Sequence, residues 1–418
     1  MSFICLLIYL FLTFIRPQEW VHGILNAPLV DAVSIALLIF LFFERMASKN
    51  AGLLRVAQNG LMFGLFLAIL MSHVAHTYFQ GMIEAFNLFI INIILYFIVL
   101  NAINTERKFR IAIWFIVLLI LLLVPQGMYQ VAHGYGWAGQ GLTIDPHNPE
   151  VRINWVGIFS DPNDLALTFV MAAGIVLAFI FGKTGIIPRL LSSTMLGYFI
   201  YGIFLSNSRG GLVAIMVTVY FYFVRRTRRF ILGSIIGGLL AIGLFAIGPS
   251  RSAIISSGEA SANNRVQLWY QGILMMKANP LFGVGFRMFE ADQPQTAHNS
   301  FVLAASELGS FGYFFWMALI FSSFRQLSLV QQYDERLRTY ATGLQTSLVG
   351  FCAAAFFLSR TYVILPYLLF ALSGSLFYIA QQRNKELIYR FTLKEARSTF
   401  LFGVIVLIVM YVIVKITL

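Results

Sequence analysis

The sequence predicts an all-α polytopic membrane protein with 12–13 transmembrane helices and a large helical outer loop. Three observations carry this. Of 418 residues, 59% are hydrophobic and 11% charged, with a mean hydropathy of +0.81. A soluble fold has no place for that much apolar surface. The apolar stretches lack the alternating polarity of barrel strands. Basic residues cluster on every second connection between them.

Taken in order, apolar spans are expected at 2–15, 28–43, 57–78, 81–103, 110–132, 164–182, 189–205, 210–224, 230–248, 299–323, 340–358, 362–380 and 399–416. Several fall short of the roughly 20 residues that a helix needs to cross a bilayer. The first pair is therefore expected to be tilted or partly re-entrant, and twelve spans is the alternative to thirteen. No small-residue cleavage site follows the first stretch, so it is read as a span that stays. Cys5 and Cys352 both lie in spans, which argues against a disulfide framework and a thiolate metal site. The chain reads as one integral membrane domain, 1–418, with outer loops 133–163 and 249–298 as a cap.

Orientation follows from the short connections. Segments 44–56, 104–110, 183–189, 225–229, 324–339 and 381–398 hold 20 of the 29 lysines and arginines. All six fall on one side, which the positive-inside rule makes cytoplasmic. The net charge of +12 thus reports topology and contact with anionic membrane lipid. It is no nucleic-acid footprint, because it is spread over six short loops.

The informative polar residues lie on the other side. Loop 133–163 carries His133, His147, Arg152, Asp161 and Asn163; loop 249–298 carries Arg251, Asn263, Asn264, Arg265, Lys277, Arg287 and His298. Loops of this length usually have a task. Asn264–Ala278 reads as a short amphipathic helix on or near the membrane surface, capped by asparagine and stopped by Pro280. An outward arginine runs against the charge bias, so each needs a reason. Arg209 begins the span 210–224 and Arg265 begins the loop helix. Each is expected to set a guanidinium beside the free N–H groups of a helix start, a ready anion site. Two such sites face to face suit a pyrophosphate. Arg152, Arg287 and Arg360 are weaker candidates.

His298 stands where the second loop meets a span. Read as one helix, His298, Ala305, Gly309 and Gly312 share a face within about 60°, either for close helix packing or as a groove for a lipid chain. Glu307 points away. His73 and His76 read as packing or hydrogen-bonding residues. Asp161-Pro-Asn-Asp164 reads as a loop before a helix, with Asn163 or Asp164 as cap, rather than a metal site. No metal or cofactor is expected.

His298-Asn299, nine residues, then Gly309-x-x-Gly312 resembles a motif of the O-antigen ligase and Wzy polymerase superfamily. Phe159-Ser-Asp-Pro-Asn-Asp-Leu-Ala166, Ser208-Arg-Gly-Gly211, Asn264-Arg265 to Trp269, and Asn279-Pro-Leu-Phe-Gly-Val-Gly-Phe286 resemble its other elements. Asp161 departs from the asparagine frequent there, which leaves that loop's role open. Phe14-Ile-Arg-Pro-Gln-Glu-Trp20 resembles the exosortase-associated O-glycosylation ligase subgroup. The specific motifs span about residues 150–315.

The resemblance implies a GT-C-like, metal-independent, inverting glycosyltransferase in the bacterial inner membrane. It implies a glycan taken from an undecaprenyl-diphosphate carrier at the periplasmic face. The acceptor hydroxyl belongs to a glycolipid such as lipid A core, a protein, or a growing glycan. Arg209 and Arg265 then hold the diphosphate and His298 activates the acceptor. Arg152, Asp161, Asn163, Arg287 and Asn299 are second-tier candidates. The alternative from another class is a lipid-linked oligosaccharide flippase or a secondary transporter, which predicts charges near the bilayer midplane and internal repeats.

Overall fold

A computed structural model describes residues 1–47, 54–145, 148–227, 230–246 and 255–418. In chain order the helices are α1 (Ser2–Phe14), α2 (Leu29–Ala47), α3 (Ala57–Val74), α4 (Phe79–Ala102), α5 (Glu106–His133), α6 (Pro162–Phe181), α7 (Ile186–Leu205), α8 (Arg209–Thr227) and α9 (Phe230–Ala246). Next come α10 (Ile255–Ala278), α11 (Phe289–Asp292), α12 (Ser300–Tyr333), α13 (Arg338–Ala355), α14 (Ile364–Arg383) and α15 (Leu393–Thr417). All but α10 and α11 coincide with the expected spans. Among the described residues, eight helices are by length and composition able to cross a membrane: α3–α7, α12, α14 and α15; α1 and α9 are shorter apolar helices. The chain is an all-α multi-pass membrane protein.

The expected inner connections meet at one end of the bundle. Lys183 Nζ reaches Glu335 Oε1 (2.5 Å), Arg383 bridges Glu106 (2.9 Å) and Asp334 (3.4 Å), and Arg45 Nη2 donates to Asn101 Oδ1 (3.1 Å). The exposed Lys183–Glu335 pair contributes little stability, whereas Asn101 and Asp334 are buried; together these contacts tie the basic loops into one face. The two long loops lie at the opposite end.

The first outer loop, 133–163, is not purely irregular. It holds an antiparallel hairpin, β1 (Thr143–Asp145) with β2 (Asn148–Arg152), in register Thr143 to Arg152 and Ile144 to Val151. Behind it stands the N-terminal motif. Trp155 Nε1 donates to Phe14 O (3.0 Å), Phe14 packs on Phe159 and Trp20 on Trp155. The Phe14–Trp20 segment thus buttresses the chain leading to Asp161. His147 and Arg251 lie outside the described residues.

α10 starts well before the expected Asn264. Residues 255–264 contain one glycine and no proline, so nothing stops the helix from extending backward. Its buried Val266, Leu268 and Trp269 pack with Ala297, Val302 and Leu303, and with Met410 and Val414 of α15. It docks on the bundle rather than lying free on the surface.

α12 is the element around which the outer end is built. Asn299 caps it, its Oδ1 accepting from Phe301 N (2.9 Å) and Val302 N (3.1 Å). The helix breaks at Gly309, whose φ of 61° and ψ of −167° are accessible essentially to glycine alone. Chain 280–285 fills the break. Val284 N donates to Ser306 O (2.9 Å) and Gly285 N to Glu307 O (3.0 Å); Ser310 N donates to Pro280 O (2.8 Å) and Phe311 N to Leu281 O (3.1 Å). Backbone opened at membrane depth must find partners inside the protein, and here two motifs of the sequence satisfy each other. A Cβ on Gly283 would sit 2.3 Å from the Glu307 carbonyl carbon.

Candidate functional site

The site grows from the helix starts at the outer end. Asp161, rather than Asn163 or Asp164, caps α6: its Oδ1 accepts from Asn163 N (2.8 Å). The reason is Pro162, which lacks an N–H and suits the first helical position, so the cap falls one residue earlier. Asn163 Oδ1 then accepts from Arg152 Nη2 (2.8 Å) and from Ser208 Oγ (2.7 Å), and Arg152 Nε donates to Ser206 O (2.9 Å). Ser208 Oγ accepts from Gly211 N (3.1 Å) at the start of α8. Arg209 is the first residue of that helix, as expected. Hairpin, α6 and α8 are thus joined through one asparagine.

Arg360, in the α13–α14 connection, completes the cluster. Its Nη2 pairs with Asp161 Oδ2 (3.0 Å) and its Nε with Asp164 Oδ1. Its loop is stapled to the start of α12. Arg360 N donates to Ser300 Oγ (2.8 Å), Thr361 Oγ1 to Ser300 O (2.9 Å), and Thr296 Oγ1 to Ser359 Oγ (2.9 Å). The two flanking carboxylates hold the Arg360 guanidinium charged and push its pKa up against the effect of burial.

His298 lies beside this staple. It is not the first residue of a helix: it precedes the Asn299 cap, with φ of 49°. The stripe of His298, Ala305, Gly309 and Gly312 therefore does not exist as one helical face, because a left-handed residue stands at its top and a break within it. Gly309 makes the break rather than a lipid groove. The imidazole is half-buried and makes no hydrogen bond among the described residues. Burial lowers its pKa, and the charges of Arg265 and then Arg360 lower it further, against an opposite pull from Asp161. The His298 imidazole is thus biased toward its neutral form within the field of two guanidiniums.

Arg265 does not begin α10 but lies inside it, so the anion site expected at a helix start there is absent. The helix places it near His298 all the same: Asn264 Nδ2 donates to Gln295 Oε1 (3.1 Å), joining α10 to the segment before the histidine. Asn299 is a cap, with Nδ2 toward Met410 Sδ (3.7 Å). Arg287 lies apart from the Arg152–Asn163 network, exposed on the loop after Phe286. His76 Nε2 is 2.7 Å from Gly283 O, and His73 packs edge-on to Tyr78, in line with the packing roles expected. Among the described residues, no three His, Cys, Asp or Glu side chains gather as metal ligands.

Arg360 is a weaker candidate in the sequence and Asp161 a second-tier one; what the sequence reading misses is that Arg360 pairs with Asp161 and Asp164. The signal was present as two unexplained features: an outward arginine, and two aspartates, Asp161 and Asp164, at an outer helix start. Their complementary charge could have paired them.

Residues 194–317 match the family model described as O-Antigen ligase. That segment holds Ser208-Arg-Gly-Gly211, Arg265, the 279–285 chain, His298 and the break at Gly309. No curated protein matches the chain.

Proposed function

From the match of residues 194–317 to the O-Antigen ligase family model, we propose that the chain is a member of that family, an enzyme that moves a glycan from an undecaprenyl-diphosphate carrier to an acceptor hydroxyl. It works at the periplasmic face of a bacterial inner membrane. The acceptor is a glycolipid, a protein or a growing glycan.

The acceptor oxygen attacks the anomeric carbon from the face opposite the phosphate, so configuration inverts. As that bond forms, its proton passes to the His298 imidazole. The bond from anomeric carbon to phosphate oxygen breaks, and its electron pair leaves with the lipid diphosphate. Arg209 and Arg265 hold the charge that develops there. Arg152 and Asn163 position the start of α8 beside them, and Asp161 holds Arg360. The imidazole then returns its proton to water. No metal or cofactor takes part in these steps.

The observation that supports this reading most is the state of His298: half-buried, without a hydrogen-bond partner among the described residues, its pKa lowered by burial and by Arg265 and Arg360. A base that stays neutral and unpaired is ready for a substrate hydroxyl. The test is purified protein in proteoliposomes with a defined lipid-diphosphate glycan and an acceptor. Release of lipid diphosphate supports a transferase; movement of the intact lipid across the bilayer without release supports the flippase or transporter.

A further inference from the structure

Behind Arg360 lies a second compartment. A cavity of about 340 Å³ is lined by Phe286, Arg287, Glu290, Thr296, Leu303, Glu307, Ser359, Arg360 and Tyr362 among others. It runs down beside the first turns of α12. Glu307, seven residues after Ser300, sits about 10 Å along the helix. Its side chain is buried, with residue exposure of 2%. Oε1 accepts from Phe289 N (3.1 Å). The carboxyl group also interacts with the buried Tyr362 hydroxyl, and the contact falls short of a well-formed hydrogen bond for either Oε2 or that hydroxyl. A buried acid at membrane depth, paired this loosely, is costly unless it has a task.

We propose that this cavity receives the sugar ring of the acceptor, a neutral polyhydroxylated ring, with Glu307 and Tyr362 as its hydrogen-bonding floor. The assignment rests on the transferase reading above.

Four features support it. The lining mixes arginine, glutamate, serine, threonine and tyrosine side chains, so a polyol can use donors and acceptors alike. The rings of Phe286 and Tyr362, 4.5 Å apart at 62°, form an aromatic wall against which the apolar face of a sugar can lie. The volume is at the lower end of small-ligand sites, about 300–1,000 Å³, and suits one ring better than a peptide segment. Arg360 lines the cavity and also acts on His298, so a ring seated there borders the base. Donor phosphates and acceptor sugar would then lie on opposite sides of Arg360.

The experiment uses full-length protein in nanodiscs with a lipid-diphosphate glycan donor. The acceptor probes are neutral methyl glycosides (hexose, N-acetylhexosamine, deoxyhexose, heptose) and a short blocked serine peptide. Release of lipid diphosphate gives KM for each substrate, and mass spectrometry identifies the product. Glu307→Gln keeps an oxygen for Phe289 N and removes the charge; Tyr362→Phe removes one hydroxyl and keeps the ring. The expected result is saturation by at least one glycoside, with its KM raised about tenfold or more in both variants, and a donor KM within about twofold of wild type. A purely structural role would move both constants or neither. The proposal is overturned if acceptor KM is unchanged in both variants, or if the serine peptide is the one acceptor used. If wild type releases no lipid diphosphate with any acceptor, the transferase reading fails, and this assignment with it.

Discussion

His298 and Arg360 show how a residue's chemistry is set by what folds around it. The imidazole could be picked out in sequence because a histidine at a membrane mouth is conspicuous. Its protonation could not, since that depends on burial and on Arg265 and Arg360, which lie far away in the chain. The pKa is lowered from the ordinary 6.5, so the basic form persists below that pH. A transfer rate that depends on the neutral imidazole should hold as pH falls through 6.5 and drop only at more acid values. Arg360→Gln removes one positive charge and leaves Asp161, whose charge raises the histidine pKa, without its partner. The acid limb of the pH–rate profile should move upward in that variant. An unmoved or lowered limb would contradict the electrostatic account. Asn299 shows the opposite limit. It stood beside His298 in a motif and was taken as a candidate for the site, but its oxygen caps α12. Asn299→Ala should therefore cost about 0.5–2 kcal/mol of stability, seen as a lower melting temperature, and its loss of activity should track its loss of folded protein.

At the scale of elements, the positions of the helices could be read from hydropathy because each apolar run is bounded by charge or proline. The break in α12 could not. A glycine inside an apolar run reads as a packing residue, and nothing local says that chain 280–285 will come back to bond the carbonyls it frees. The docking of α10 on the bundle was invisible for a related reason: the partners of Val266, Leu268 and Trp269 come from α12 and α15. Gly283→Ala tests the pairing. It places a Cβ at a φ of 70° and 2.3 Å from the Glu307 carbonyl carbon. Strain alone is worth about 1–3 kcal/mol, so a marked fall in melting temperature and in folded yield is expected. A variant as stable as wild type would mean that the loop does not fill the break as described.

For the whole molecule, charge alone gives the sidedness, and the structure adds that the basic connections meet at one end with the candidate site at the other. In a variant with Cys5→Ser and Cys352→Ser, a cysteine at Trp137 should react with an impermeant maleimide in intact cells. One at Lys385 should react only after lysis. The reverse pattern would put the site in the cytosol and remove the periplasmic reading. The glycan and the acceptor's identity stay illegible in the sequence, because recognition depends on cavity walls assembled from α4, α12 and two loops rather than on any one motif.

The most direct measurement is the turnover of purified His298→Ala with saturating donor and acceptor, followed as lipid diphosphate released, next to wild type of equal melting temperature. Loss of a general base predicts a rate lower by about 10²–10⁴-fold. Turnover at the wild-type rate would contradict the assignment of His298 as the base.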